Sequence, residues 1–139
     1  MMNKSIALIG SRKAPNHILN MAKNIGKYLS GKGYIGNSGN AIGLDKAFME
    51  NYNVDLSQVF IIERRNNTEP HFIVWDELDN QTKIKTYIHA KSVCSDFDNR
   101  PLTHQKLFAR NICQVLGKDC FHPVEKVLYW APEVRGIVK

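Results

Sequence analysis

Ser5 to Ile9 read as a short continuous apolar run that ends at Gly10, and an amphipathic segment follows at once. A half-exposed strand alternates apolar and polar side chains, so an unbroken run marks a strand buried on both faces, as in a parallel sheet. Parallel strands need a crossover, usually a helix. After the turn Gly10-Ser11-Arg12-Lys13-Ala14-Pro15, the residues Ile18, Ala22, Ile25 and Leu29 form one helical stripe, with Asn16 expected as N-cap and Gly31 or Gly33 as the stop. Tyr34-Ile35-Gly36 begins a second strand, and Leu44, Ala47 and Phe48 mark a second helix. Val59-Phe60-Ile61-Ile62 and Val127-Leu128-Tyr129-Trp130 are further buried-strand runs. Between them, Leu107, Phe108, Ile112, Val115 and Leu116 mark a helix that starts after Asp98-Asn99-Arg100-Pro101 and stops at Gly117.

The alternation predicts an α/β fold: a Rossmann-like three-layer open sheet, mostly parallel, with helices on both faces. The whole chain, 1–139, reads as one domain, with a less regular insertion at about 63–100. Within it, Phe72-Ile73-Val74-Trp75 suggests an extra strand, and Ile84 to Ala90 fits strand or helix.

At 43% hydrophobic and 23% charged residues the chain is not of disordered composition. No apolar run nears the roughly 20 residues that span a bilayer, so no membrane partner is expected. The five-residue run after Lys4 is too short for a signal peptide. Cys94, Cys113 and Cys120 are odd in number and form no CxxC pair, which fits reduced thiols in a cytoplasm. Cys113, Cys120 and His122 match no usual zinc spacing, and neither metal nor cofactor is expected. The net charge of +6 is uneven. Residues 1–50 carry seven basic against two acidic side chains, 51–100 six against eight, and 101–139 six against three. Basic ends suit a phosphate-bearing partner.

Ligands of open α/β sheets bind beyond the carboxyl ends of the strands. Gly10-Ser11-Arg12 projects there: glycine allows close approach, serine and backbone amides can bond a phosphate, and Arg12 adds a charged fork. The segment Asn37-Ser38-Gly39-Asn40-Ala41-Ile42-Gly43-Leu44-Asp45 leaves a helix N-terminus uncovered for an anion, though it is neither a Walker loop nor a GxGxxG fingerprint. Asp45 suits either helix stabilisation or a ligand hydroxyl. Arg110 and Asn111 lie on the later helix, where Arg110 needs a ligand anion or an internal carboxylate, and Trp130 suits base stacking or the core.

IALIGSRKAP, a helix, YIGNSGNAIGLDKAFMENY and VFII together resemble the Rossmann-like domain of DprA and related SLOG-superfamily proteins, a group that includes the Lonely Guy phosphoribohydrolases. There a G-S-R turn precedes an S-G-G-A-x-G-x-D segment. Here that segment departs at Asn40, where the family favours glycine and closer backbone access. Phe108-Ala109-Arg110-Asn111 and Val127 to Pro132 are similar to small stand-alone members often carried by phages, which implies a host cytoplasm. The resemblance implies a phosphate site built from Gly10, Ser11, Arg12, Ser38, Gly39, Gly43 and Asp45. It does not imply catalysis, because the Pro-Gly-Gly-x-Gly-Thr-x-x-Glu motif of the phosphoribohydrolases is missing. Similar proteins continue past the last strand into another Gly-rich turn and a helix, whereas this sequence stops at residues 134–139, so the expectation is that either the last part of the site is missing or a partner subunit completes it.

The leading expectation is therefore non-catalytic binding of a nucleotide or nucleotide-derived small molecule by a homo-oligomer. Single-stranded DNA, implied by the likeness to DprA, is the second partner considered, although no basic-aromatic stripe is evident. Hydrolysis of a nucleotide N-glycosidic bond is the third reading, with Asp45, Glu63, Asp96 and Asp98 as candidate acids. Nucleophilic catalysis by Ser11, Ser38 or Cys94 lacks a G-x-S-x-G elbow.

Overall fold

The computed structural model describes residues 4–134 and 137–138. One sheet holds β1 (Ser5–Gly10), β2 (Ile35–Ser38), β3 (Ser57–Ile61), β4 (Ile73–Val74) and β5 (Lys126–Trp130). Their order is β4-β3-β2-β1-β5 and every neighbouring pair is parallel. The helices are α1 (Asn16–Gly31), α2 (Leu44–Met49), α3 (Asn80–Val93) and α4 (Leu102–Leu116). A separate antiparallel pair, β6 (Glu133–Val134) and β7 (Ile137–Val138), follows. The chain is thus an α/β protein of Rossmann-like form. Of the terminal residues 134–139 at which the site was expected to be incomplete, Arg135, Gly136 and Lys139 lie outside those described.

The period of two sends alternate strand side chains to opposite layers. Ile6 and Leu8 of β1 point to one face, where they pack with Ala22 of α1 and Leu44, Ala47 and Phe48 of α2. Asn37 and Phe60 point to the other. Asn37 Nδ2 donates to the Gln114 carbonyl of α4 at 3.2 Å, and Phe60 packs with Trp75, Ala109 and Cys113. Helices α1 and α2 approach so closely that a Cβ on Gly26 would lie 2.0 Å from the Phe48 carbonyl oxygen.

Two expectations need correction, and one open alternative is decided. Asn16 is the first helical residue, and the cap is Pro15, whose extended backbone lets its carbonyl accept the Ile18 and Leu19 N–H groups. Residues 84–90 are helical, within α3. Its buried line is Thr82, Thr86 and Ala90, while Ile84 and Ile88 face outward, so the apolar residues do not trace the buried side. Asp79 caps this helix by accepting the Thr82 N–H at 2.7 Å, and Thr86 Oγ1 accepts the buried Trp75 indole N–H at 3.0 Å. Finally, β5 reads as a buried strand but occupies a sheet edge, leaving Val127, Leu128 and Tyr129 exposed at 42%, 37% and 62%.

Candidate functional site

The carboxyl ends of β1, β2 and β3 meet α4 around a crevice. On the β5 side it widens into a hollow of about 970 Å³ lined by Ser11, Phe108, Asn111, Tyr129 and Trp130. On the β3 side lies a second hollow of about 430 Å³ lined by Asn40, Glu63, Arg65, Thr103 and Lys106. Arg12, Ala41, Leu107 and Arg110 border both, so these two arginines stand where the hollows join.

The turns expected to cradle an anion already hold one. Asp45, in the first turn of α2, is 6% exposed, and its Oδ1 accepts the Gly10 N–H at 3.0 Å. Burial pushes its carboxyl above the ordinary value, against the opposing pull of the Gly10, Ala41 and Gly39 amides and of Arg110. Of the two partners expected for Arg110, an internal carboxylate is present nearby, because Asp45 is the negative charge that Arg110 feels most strongly.

The glycines serve packing against the protein itself. A Cβ on Gly10 would lie 2.1 Å from Leu44 Cδ2, one on Gly43 2.7 Å from Arg12 Cα, and one on Gly39 2.2 Å from Gln114 Nε2. Gly43 also has φ 95°, and Asn40 adopts φ 61°, a left-handed backbone that asparagine tolerates better than most residues. Asn40 thereby keeps the loop's turn while bordering the smaller hollow.

Ser11 and Ser38 are differently placed from a ligand-facing pair. Ser11 N–H donates to the Trp130 carbonyl at 3.0 Å, and Ser11 Oγ accepts the Lys13 N–H at 3.0 Å while still bordering the hollow. Ser38 is wholly buried, and its hydroxyl donates to the Leu8 carbonyl at 2.6 Å, so it ties β2 to β1 inside the sheet instead of facing the crevice. Trp130 pairs in register with Gly10 and packs on the α1 and α2 core, contributing only part of the hollow's wall. Asn111 is exposed, and its Oδ1 accepts from Gln114 Nε2 at 3.4 Å.

Arg110 is 9% exposed. Its Nη1 donates to the carbonyls of Gly39 and, at 3.1 Å, Phe60, whereas its buried Nε has no partner among the described residues. Desolvation lowers its pKa, Asp45 raises it, and neighbouring Arg12 lowers it again. Arg12 is exposed, and among the described residues neither arginine forms an ion pair.

The remaining candidate acids are engaged: Glu63 with Arg65 at 3.2 Å, Asp96 with Arg100 at 3.2 Å and Asp98 with Lys91 at 2.8 Å. Among the described residues no group of His, Cys, Asp or Glu could hold a metal ion, and no helix is long and apolar enough to cross a membrane. Sequence reasoning missed Phe108, Tyr129, Arg65 and Lys106 as crevice residues. Arg65 follows the carboxyl end of β3, and Lys106 stands one helical turn before Arg110, so strand ends and helical spacing were the available signals.

Comparison with protein-family models, with curated proteins and with solved structures finds no match.

Proposed function

We propose that this crevice binds a nucleotide or a nucleotide-derived small molecule, with an anionic group taken between Arg12 and Arg110 and no reaction catalysed. The observation that carries the reading is this pair of neighbouring guanidinium groups, one buried, without an ion-pair partner among the described residues. An anion between them would offset their repulsion and accept charge-assisted hydrogen bonds from planar forks suited to phosphate. The larger hollow supplies an apolar and aromatic wall for the organic part, in Phe108 and Tyr129, and its 970 Å³ suits a small molecule. Because the Gly10 amide serves Asp45 and the Ser11 amide serves the Trp130 carbonyl, recognition falls to the two arginine side chains. The likeness to DprA and the SLOG proteins belongs to this same reading.

Thermal shift and calorimetry with mono-, di- and cyclic nucleotides test it. At least one class should raise the melting temperature, and Arg12→Ala should weaken binding about tenfold or more, the scale of a lost charge-assisted contact. If no nucleotide binds, or Arg12→Ala binds as tightly as the parent, the reading is wrong.

A second reading, single-stranded DNA bound by a homo-oligomer, is favoured by Tyr129, which is 62% exposed in the wall that Arg12 also borders and offers a stacking face. Oligonucleotide binding that falls steeply with salt would support it; no binding at low salt would exclude it.

A further inference from the structure

The smaller hollow differs in chemistry from the larger one. It is bordered by four cationic side chains, Arg12, Arg65, Lys106 and Arg110, against one carboxylate, Glu63. Two of these cations are held only loosely by acids. Arg65 meets Glu63 through a single contact at 3.2 Å between exposed side chains, and Lys106 lies 3.6 Å from Asp76. The first pair is exposed and the second, half-buried, is long, and ion pairs in contact with solvent contribute little. Hydroxyls are also present. Thr68 Oγ1 accepts the Arg65 N–H at 2.8 Å and keeps its own proton to donate, and Thr103 is exposed on the rim. The larger hollow is mainly apolar beyond the junction, although His89, Ser92, His104 and Asn111 also line it, and its further arginine, Arg100, is tied to Asp96.

The crevice therefore has a polarity along the sheet: apolar toward β5, cationic toward β3, with Arg12 and Arg110 between. Resting on the binding reading above, we infer that the smaller hollow takes a second anionic group, so that the ligand class is a nucleoside diphosphate or a related pyrophosphate, not a monophosphate. The first phosphate lies at the Arg12 and Arg110 junction, and the second extends toward Arg65 and Lys106. The nucleoside runs the other way, against Phe108 and Tyr129. Arg110, nine-tenths buried and with its Nε unpartnered among the described residues, supports an anion on this side because it borders the smaller hollow as well.

The test is calorimetric titration of the full chain with AMP, ADP, GMP and GDP in magnesium-free buffer, repeated with Arg65→Ala/Lys106→Ala. At least one diphosphate should bind about tenfold or more tightly than its monophosphate, since two further charge-assisted contacts are available. The double variant should lose that difference while its affinity for the monophosphate stays within about twofold. Equal affinities for mono- and diphosphate in the parent, or a diphosphate advantage that survives the double substitution, would overturn the inference. Monophosphate binding that depends on Arg12 without any diphosphate gain would defeat only this inference. Absence of all nucleotide binding would defeat the binding reading with it. Titration with inorganic pyrophosphate against phosphate gives the same comparison without the nucleoside, and unchanged melting curves show that the variant is folded.

Discussion

At the scale of single residues, Asp45 and Gly39 shape the crevice from within. Burial dominates at Asp45, so its folded pKa lies above the ordinary carboxylate value despite the amides of Gly10, Ala41 and Gly39. The folded state then binds the proton more tightly than the unfolded one. Stability linked to this group is full below its ordinary value and declines as pH rises through the raised folded value. Asp45→Asn should remove that slope from urea unfolding measured between about pH 3.5 and 7; an unchanged slope would assign it to another group. Gly39→Ala drives a methyl into Gln114 Nε2 and Arg110 Nη1, at 2.2 and 2.5 Å, and should destabilise the fold by about 1–3 kcal/mol. Because Arg110 must move, the proposed nucleotide binding should fall with it. Sequence reasoning marked Gly10, Gly39, Gly43 and Asp45 as one neighbourhood, and they do converge. What spacing could not show is that the carboxylate, not a ligand, receives the turn's amides, because that depends on Asp45 and Gly10 meeting across 35 residues of chain.

Among the elements, β1, α1, β2, β3 and α4 were legible because periodicity and burial coincide in them. In α3 and β5 they part. The buried line of α3 carries threonines, held by a hydrogen bond to Trp75, while its isoleucines face outward. β5 has the sequence of an interior strand and stands at the edge. Val127→Thr should therefore change stability by no more than about 0.5 kcal/mol, as at other surface positions. Phe60→Ala, at 1% exposure between α4 and the sheet, should cost about 3–5 kcal/mol. Denaturant melts decide both, and a large loss at Val127 would mean that β5 is covered in solution. Cys113 of α4 is wholly buried, and its thiol is pushed up to about 12. It should resist alkylation at neutral pH in the folded protein and react once the chain unfolds.

For the whole molecule, the parallel sheet brings distant cations together at one end. Arg12 follows β1, Arg65 follows β3, and Lys106 and Arg110 arrive on α4, so three separate segments of sequence converge on one crevice. This explains why the overall charge of +6 pointed to an anionic partner without locating it. Arg65 belongs to the stretch with the acidic excess, yet it reaches the same crevice as the basic ends. The proposed function rests on an anion bound between Arg12 and Arg110. The most direct measurement is calorimetric titration of a nucleoside diphosphate into the parent protein and Arg12→Ala, with matched melting temperatures for the two unliganded forms. Saturable binding is expected in the parent, weakened about tenfold or more by the substitution. Indistinguishable binding by the two proteins, or no binding by either, would contradict it.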